Sequence, residues 1–154
     1  KLPFKFKIIE LKTLDDYCDA IFNMQVRGAP LIGVTAAFGI ANSTKNDASD
    51  NNIIFSYKKL LSTRPTAVNL QWALDKMKGE LLKVKPSDRL DLAYNLADII
   101  SKNDVSACES IGNHGAKLIE SLFNLNFEYY FWLYLKLLLL FWARLFRAFI
   151  IKSV

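Results

Sequence analysis

The sequence predicts a mainly α fold with a short β-strand at its N-terminus. Apolar residues recur at helical spacing through most of residues 13–119, and helix-starting and helix-ending signals divide this pattern into segments. By contrast, residues 4–11 begin with alternating apolar and basic side chains, which is typical of an edge strand with one solvated face. One histidine and two cysteines are too few for a zinc site with four cysteines or with two cysteines and two histidines.

The first helix is predicted over residues 14–24, because Thr13 and Asp16 form the pattern of a capping box. Cys18 lies on its apolar stripe and is interpreted as a core residue. The next helix, residues 31–41, is apolar on almost every face, which predicts that it is buried, with Pro30 in its first turn. The polar residues that follow, 42–52, are predicted to form a surface loop.

Four further helical segments are predicted, over residues 53–61, 67–84, 90–100 and 106–119. Pro65 ends the first of them, because the residue before a proline is pushed out of the helical region. Thr66 is the predicted cap of the second. Trp72 and Leu82 are among the apolar positions of that second segment.

An anion site is the functional interpretation of Arg27, Gly28, Ala29 and Pro30, which stand where the apolar helix begins. The backbone N–H groups of a helix start point at a ligand, glycine allows close approach, and arginine adds a bidentate donor. The alternative is a tight turn in which Arg27 pairs with an internal carboxylate. The composition alone leaves both open.

A second arginine, Arg64, precedes the helix start at residues 65–69 in the same way. Here an ordinary loop followed by a helix cap is the favoured interpretation. The two helix starts would make a stronger anion site if they converged, which the sequence cannot establish. His114 stands between glycines in Gly112 to Gly115, where a hydrogen bond to the backbone is favoured over catalysis. Cys108 has no basic neighbour in the sequence and is interpreted as unreactive.

Three segments together resemble one enzyme family. They are the stretch from Val26 to Gly39, the stretch from Ser62 to Met77, and the stretch from Ile111 to Ile119. In order and spacing they are similar to methylthioribose-1-phosphate isomerases. That family is related to the regulatory subunits of a translation-initiation guanine-nucleotide-exchange factor and to ribose-1,5-bisphosphate isomerase. The resemblance covers about 115 residues of the chain.

The resemblance implies an N-terminal helical domain that lacks the Rossmann-like C-terminal catalytic domain of the family. It implies conversion of methylthioribose 1-phosphate to methylthioribulose 1-phosphate in methionine salvage, without metal or organic cofactor, by a homodimer. A cytoplasmic location is expected by default, because residues 1–12 carry several charges and no apolar stretch of a signal peptide. A phosphorylated sugar is the implied substrate, and Arg27, Gly28, Ala29 and Arg64 match family positions that bind it. The segments that carry the family's catalytic cysteine and aspartate are absent from these 154 residues, so no catalytic residue is assigned and the chain alone is expected to be inactive.

The composition changes near residue 121, so residues 1–120 and 121–154 are predicted to be separate domains. The second holds six of the eleven phenylalanines and +3 of the net charge of +5, which makes the basic charge a poor argument for nucleic-acid binding. We favour an out-of-frame translation of a damaged gene for this tail, giving a truncated copy of the enzyme. Two alternatives remain open: a membrane-associated protein anchored by residues 129–151, despite the central Lys136, and a core element of unrecognised type. A non-catalytic binding module like the regulatory subunits is the other functional alternative.

Overall fold

The computed structural model describes residues 8–122, 135–136 and 138–139. The chain divides into two compact units, Leu11–Asp104 and a second made of Lys1–Glu10 with Val105–Val154. Five α-helices are described: α1 (Leu14–Phe22), α2 (Ala29–Asn46), α3 (Asp50–Thr63), α4 (Val68–Leu81) and α5 (Arg89–Leu122), with a 3-10 turn at Pro86–Asp88 before α5.

The mainly α prediction is confirmed. The predicted strand is wrong in its second half, because residues 8–11 have no regular secondary structure, and its first half lies outside the described residues. The division at residue 120 stays a prediction, since almost all of the tail also lies outside them. No stretch of helix within the described residues combines the length and the hydropathy that crossing a bilayer requires.

Helix α2 is the centre of the unit Leu11–Asp104 and packs against α1, α3 and α4. Its residues from Ile32 to Ala41 are all buried, which confirms the prediction made from its uniformly apolar composition. Small residues let the neighbouring helices approach it closely. A Cβ atom at Gly39 would lie 3.2 Å from the Cβ of Tyr17 on α1 and 3.3 Å from the Cδ1 of Leu60 on α3. Glycine at this position therefore permits three helices to meet.

The predicted capping box at the start of α1 is present. The Asp16 backbone N–H donates to the Thr13 hydroxyl at 3.2 Å, and the Thr13 backbone N–H donates to the Asp16 carboxylate at 2.8 Å. Tyr17 and Cys18 are buried on the inner face, as predicted. The helix ends at Phe22, two residues earlier than predicted, and Met24 follows with a φ of 55° and an exposed side chain.

The predicted surface loop at residues 42–52 is wrong over most of its length. Helix α2 continues to Asn46 and α3 begins at Asp50, so three residues connect them. Polar side chains are tolerated here because they bond to one another. The buried hydroxyls of Ser43 and Ser56 lie 2.7 Å apart, and the Asn52 amide donates to the Ser43 carbonyl at 3.2 Å. A polar composition therefore marks a satisfied hydrogen-bond network between α2 and α3.

The second half of the unit contains two more departures from the sequence prediction. Helix α4 is capped by Ala67 without a side-chain hydrogen bond, so Thr66 is not the cap. Trp72 is 53% exposed and Leu82 is 36% exposed, so neither belongs to the core, whereas Leu70 and Leu74 beside them are fully buried. Helix α5 runs without interruption through both predicted segments, and neither proline nor glycine stands between residues 100 and 106.

Candidate functional site

The start of α2 has the backbone that an anion site needs. Gly28 is its N-cap, with a φ of 92° and a ψ of 131°, a conformation that residues with a Cβ rarely adopt. No side chain caps the amides of the first turn, and Pro30, as predicted, takes a position where a missing N–H costs nothing. Gly28 and Ala29 are both exposed. The positive end of the α2 dipole is thus open to a ligand.

Arg27 stands immediately before this helix start. Its side chain is exposed, and its Nε donates to the carbonyl oxygen of Met24 at 3.4 Å. Within the described residues, its guanidinium forms no ion pair with a carboxylate. The alternative interpretation required an internal carboxylate that pairs with Arg27. No such carboxylate is found in the part of the chain that is described.

Arg64 occupies the corresponding place between α3 and α4. It is the C-cap of α3, and its carbonyl accepts a hydrogen bond from the Ala67 N–H at 3.0 Å, which closes the turn that contains Pro65. The Arg64 side chain is half-buried. The predicted loop is present, but Arg64 ends α3 and the predicted cap of α4 at Thr66 is wrong, because Ala67 is the N-cap. The backbone role of Arg64 leaves its guanidinium available as a donor.

Helices α2 and α4 meet near these two starts. A Cβ atom at Gly33 would lie 2.8 Å from the carbonyl oxygen of Asn69, closer than real Cβ contacts come. Gly33 is the fifth residue of α2 and Asn69 is the second of α4. At about 1.5 Å per residue, both helix starts lie within roughly two turns of this contact. The structure thus brings together the two segments that the sequence singled out.

A cleft of about 240 Å³ opens beside this contact, within the unit Leu11–Asp104. Its walls come from α2, α4 and α5, and they are mostly apolar. They are formed by Pro30, Gly33, Val34, Asn69, Trp72, Ile100, Asn103 and Asp104. Burial raises the pKa of Asp104 above its ordinary value, because desolvation disfavours the charged carboxylate.

The sequence did not indicate this cleft. Trp72 was noted only as an apolar residue of the segment that forms α4, and Asn103 and Asp104 carry no motif. Their convergence with α2 depends on how α5 packs, which is a tertiary relationship between residues about 70 positions apart. The exposure of Trp72 could have been predicted from helical spacing, because it lies two residues from Leu70 and from Leu74 and so faces away from both.

The remaining candidate residues have structural roles. The exposed His114 lies on α5, and its Nδ1 is 2.7 Å from the Ser110 carbonyl oxygen, which confirms the predicted backbone hydrogen bond. Cys18 is buried, and burial raises the pKa of its thiol, consistent with a core residue. Cys108 is exposed on α5. The described residues contain no group of three or more side chains that could hold a metal ion.

Comparison with known proteins finds similar sequences in one family. The model of the initiation factor 2 subunit family matches residues 25–125. Methylthioribose-1-phosphate isomerase from Escherichia coli is 49% identical over 122 residues, and the enzyme of the same name from Rhodospirillum centenum is 46% identical over 125. These matches cover 79% and 81% of this chain but 33% of each relative. The chain therefore spans about a third of the length of these curated relatives.

Two solved structures share the fold. The delta subunit of translation initiation factor eIF-2B from A. fulgidus matches with a TM-score of 0.71 and 32% identity, over 77% of this chain and 37% of that one. The 5-methylthioribose 1-phosphate isomerase from Pyrococcus horikoshii matches with a TM-score of 0.70 and 34% identity, over 75% and 35%. With the family model matching about two thirds of its residues, this chain belongs to the initiation factor 2 subunit family, and its curated relatives above are methylthioribose-1-phosphate isomerases.

Proposed function

We propose that this chain binds a phosphorylated sugar at the starts of α2 and α4, as the substrate-binding part of a methylthioribose-1-phosphate isomerase. Arg27, Gly28, Ala29 and Arg64 are the binding residues in this proposal. The observation that supports it is the close contact between Gly33 and Asn69, because it brings two arginine-preceded helix starts to one region of the unit.

The chemistry of these residues suits a phosphate monoester. The open first turn of α2 offers backbone N–H groups and the positive end of the helix dipole. Gly28 lets the phosphate approach the backbone without meeting a side chain, and nothing lies within 4 Å of the place where its Cβ would be. Arg27 and Arg64 add guanidinium donors, whose planar geometry matches phosphate oxygens.

Turnover needs groups in addition to the four binding residues of this proposal. An aldose–ketose isomerisation moves hydrogen between neighbouring carbons, so it requires positioned acids and bases. The family segments that hold the catalytic cysteine and aspartate have no counterpart in the 154 residues. We therefore expect the 154-residue chain to bind the sugar phosphate without converting it.

Isothermal titration calorimetry of the chain with methylthioribose 1-phosphate tests the proposal. Arg27→Ala and Arg64→Ala should each weaken binding by about tenfold or more, because a hydrogen bond to a charged group contributes about 1.5–3 kcal/mol. Lys58→Ala removes an exposed positive charge from α3 and is the control, which should change the affinity less than twofold by the usual weakness of surface charges. Binding that is unaffected by both arginine substitutions would contradict the proposal. Product formed by the chain alone would contradict the expected inactivity.

A non-catalytic binding module is the second candidate, favoured by the likeness to the delta subunit of eIF-2B. The two solved relatives match this chain almost equally well, so the fold alone does not separate the candidates. The module is supported if the folded chain does not bind methylthioribose 1-phosphate at millimolar concentration. It should then form a complex of defined stoichiometry with another member of the family in size-exclusion chromatography.

A further inference from the structure

The loop between α1 and α2, which carries Arg27, is bonded back to the end of α1. The Met24 backbone N–H donates to the Ile21 carbonyl at 3.3 Å. The Gln25 backbone N–H donates to the Ala20 carbonyl at 2.9 Å. These two hydrogen bonds have the pattern of a Schellman motif, in which the chain reverses through one left-handed residue. The path of the loop toward Arg27 is therefore set by the last turn of α1.

Met24 is the left-handed residue of this motif, with a φ of 55°. Glycine is usual there, because in left-handed backbone a Cβ atom comes close to the following carbonyl oxygen. Among the described residues, Met24 is the one residue other than glycine with a positive φ. Its side chain is 46% exposed, so packing of that side chain in the core does not account for the strain. Backbone strain of this kind is concentrated at functional sites.

The carbonyl group of Met24 contacts the side chain of Arg27. It accepts a hydrogen bond from the Arg27 Nε at 3.4 Å, a long bond that biases the orientation of the side chain without locking it. A guanidinium carries five N–H donors, and the four on its Nη atoms are not needed for this contact. Restricting an exposed arginine in advance reduces the entropy that is lost when it binds an anion.

We propose that Met24 is a positioning residue for Arg27, and that its left-handed backbone rather than its side chain orients the guanidinium toward an anion at the start of α2. This inference rests on the proposed function above. Gly28, the N-cap of α2, is the next residue with a positive φ, at 92°. Between them Val26 is 2% exposed and anchors the loop in the core. A loop held in this way keeps Arg27 beside the first turn of α2.

Calorimetry of Met24 variants with methylthioribose 1-phosphate separates the backbone from the side chain. Glycine and asparagine enter the left-handed region most readily, so Met24→Gly and Met24→Asn should keep the wild-type affinity within about twofold. Valine is β-branched and strongly disfavoured there, so Met24→Val should weaken binding by about threefold to tenfold, as for the loss of an ordinary hydrogen bond. Phe22→Val is the matched control, because it changes a more exposed apolar side chain in ordinary helical backbone. It should leave the affinity unchanged.

Double variants show whether Met24 acts through Arg27. Met24→Val should cause no further loss of affinity in Arg27→Ala, because effects that pass through one group are not additive. In Arg64→Ala it should cause its full loss. A general distortion of the site would instead lower the affinity equally in both backgrounds. Circular dichroism checks that each variant is folded.

Hydrogen exchange of the Arg27 Nε–H proton, followed by NMR, tests the contact without any variant of Met24. In the folded chain this proton should exchange with water more slowly than in an unstructured peptide of residues 23–29. Exchange as fast as in the peptide would overturn the inference, even if Met24→Val does not fold.

The affinities give further outcomes that overturn the inference and leave the proposed function standing. These are wild-type affinity in Met24→Val, and equal further losses in the two arginine backgrounds. Losses in Met24→Gly and Met24→Asn as large as in Met24→Val would also overturn it, because they would assign the effect to the side chain. If the wild-type chain does not bind the ligand, or if both arginine variants bind it as well as the wild type does, the proposed function falls and the inference falls with it.

Discussion

The carbonyl oxygen of Asn69 lies only 2.8 Å from the position that a Cβ atom on Gly33 would occupy. The first helical turn of α4 is therefore seated directly on the backbone of α2. Gly33 belongs to the segment that begins with Arg27, and Asn69 belongs to the segment that begins with Arg64. This single contact fixes how the two helix starts are placed relative to each other.

Gly33→Ala should destabilise the chain by about 1–3 kcal/mol, because the added methyl group meets a backbone atom that cannot move without shifting α4. Gly79→Ala is the matched control on α4, since nothing lies within 4 Å of its Cβ position. That substitution should stabilise the chain by about 0.5–1 kcal/mol through helix propensity. Urea unfolding followed by circular dichroism measures both. Equal effects of the two substitutions would show that α4 does not press on α2.

A second prediction concerns Arg89, the first residue of α5, whose side chain is 4% exposed. Its Nη1 donates to the Ala48 carbonyl at 2.7 Å and pairs with the Asp50 carboxylate at 2.6 Å, and its Nε donates to the Val84 carbonyl at 3.1 Å. Arg89→Met keeps most of the volume but removes every donor. It should lower the free energy of unfolding by about 2–4 kcal/mol, because the part-buried carbonyl groups of Ala48 and Val84 lose a charged partner.

Two further variants isolate the cause of that loss. Lys102→Met removes an exposed ion pair with Asp98 from the same helix and should change the stability by less than about 0.5 kcal/mol. Asp50→Asn should cost about 1 kcal/mol or less, because the Asp50 carboxylate is 65% exposed and loses little on being neutralised. A loss in Lys102→Met as large as in Arg89→Met would show that the hydrogen bonds to Ala48 and Val84 do not matter.

Features that depend on residues close together in the sequence could be predicted, whereas features that depend on distant residues could not. The Thr13–Asp16 capping box and the burial of α2 depend on residues within a few turns of one another, and both were predicted correctly. The polar stretch at residues 42–52 was misjudged because its hydrogen bonds reach from Ser43 to Ser56, thirteen residues away. Local composition cannot reveal that a distant partner satisfies a polar group.

The same distinction between near and distant residues applies to the candidate site. The two helix starts were recognisable because arginine, glycine and proline act on the turn in which they stand. The cleft was not recognisable, because it is lined by both Ile100 on α5 and Pro30 on α2, which are 70 positions apart in the sequence. Trp72 is apolar, but it lies two residues from Leu70 and from Leu74, so it is on the opposite face of α4 from the buried residues and is exposed.

The acid stability of the chain should depend on Asp16. Hydrogen bonds from the backbone N–H groups of Lys12 and Thr13, at 2.9 and 2.8 Å, hold the pKa of this carboxyl below its ordinary value. Because the pKa of Asp16 is lower in the folded state than in the unfolded state, the ionised carboxylate stabilises the fold. This stabilisation is fully present above the unfolded-state pKa of about 3.9 and is lost as the pH falls through the pKa of the folded state.

Urea midpoints between pH 2 and pH 7 test this dependence. Asp16→Asn should be less stable than the wild type at pH 7, and the difference should shrink as the pH falls below about 4. Asp19→Asn removes the same charge from the exposed face of α1, and its effect is subtracted as the general electrostatic contribution. A difference between wild type and Asp16→Asn that stays constant over this range would contradict the assigned role.

The last prediction separates backbone strain from steric contact at the start of α2. Gly28 has a φ of 92°, but nothing lies within 4 Å of its Cβ position. Gly28→Ala should therefore cost about 1–3 kcal/mol through backbone strain alone. The strained first turn should also bind methylthioribose 1-phosphate more weakly, since its amides no longer keep their orientation toward the ligand. Urea unfolding and calorimetry on the same sample measure both effects, with Gly79→Ala as the control for a helix glycine replaced without strain. If Gly28→Ala is as stable as the wild type and binds equally well, the start of α2 does not depend on glycine, and the anion site must be sought elsewhere in the unit.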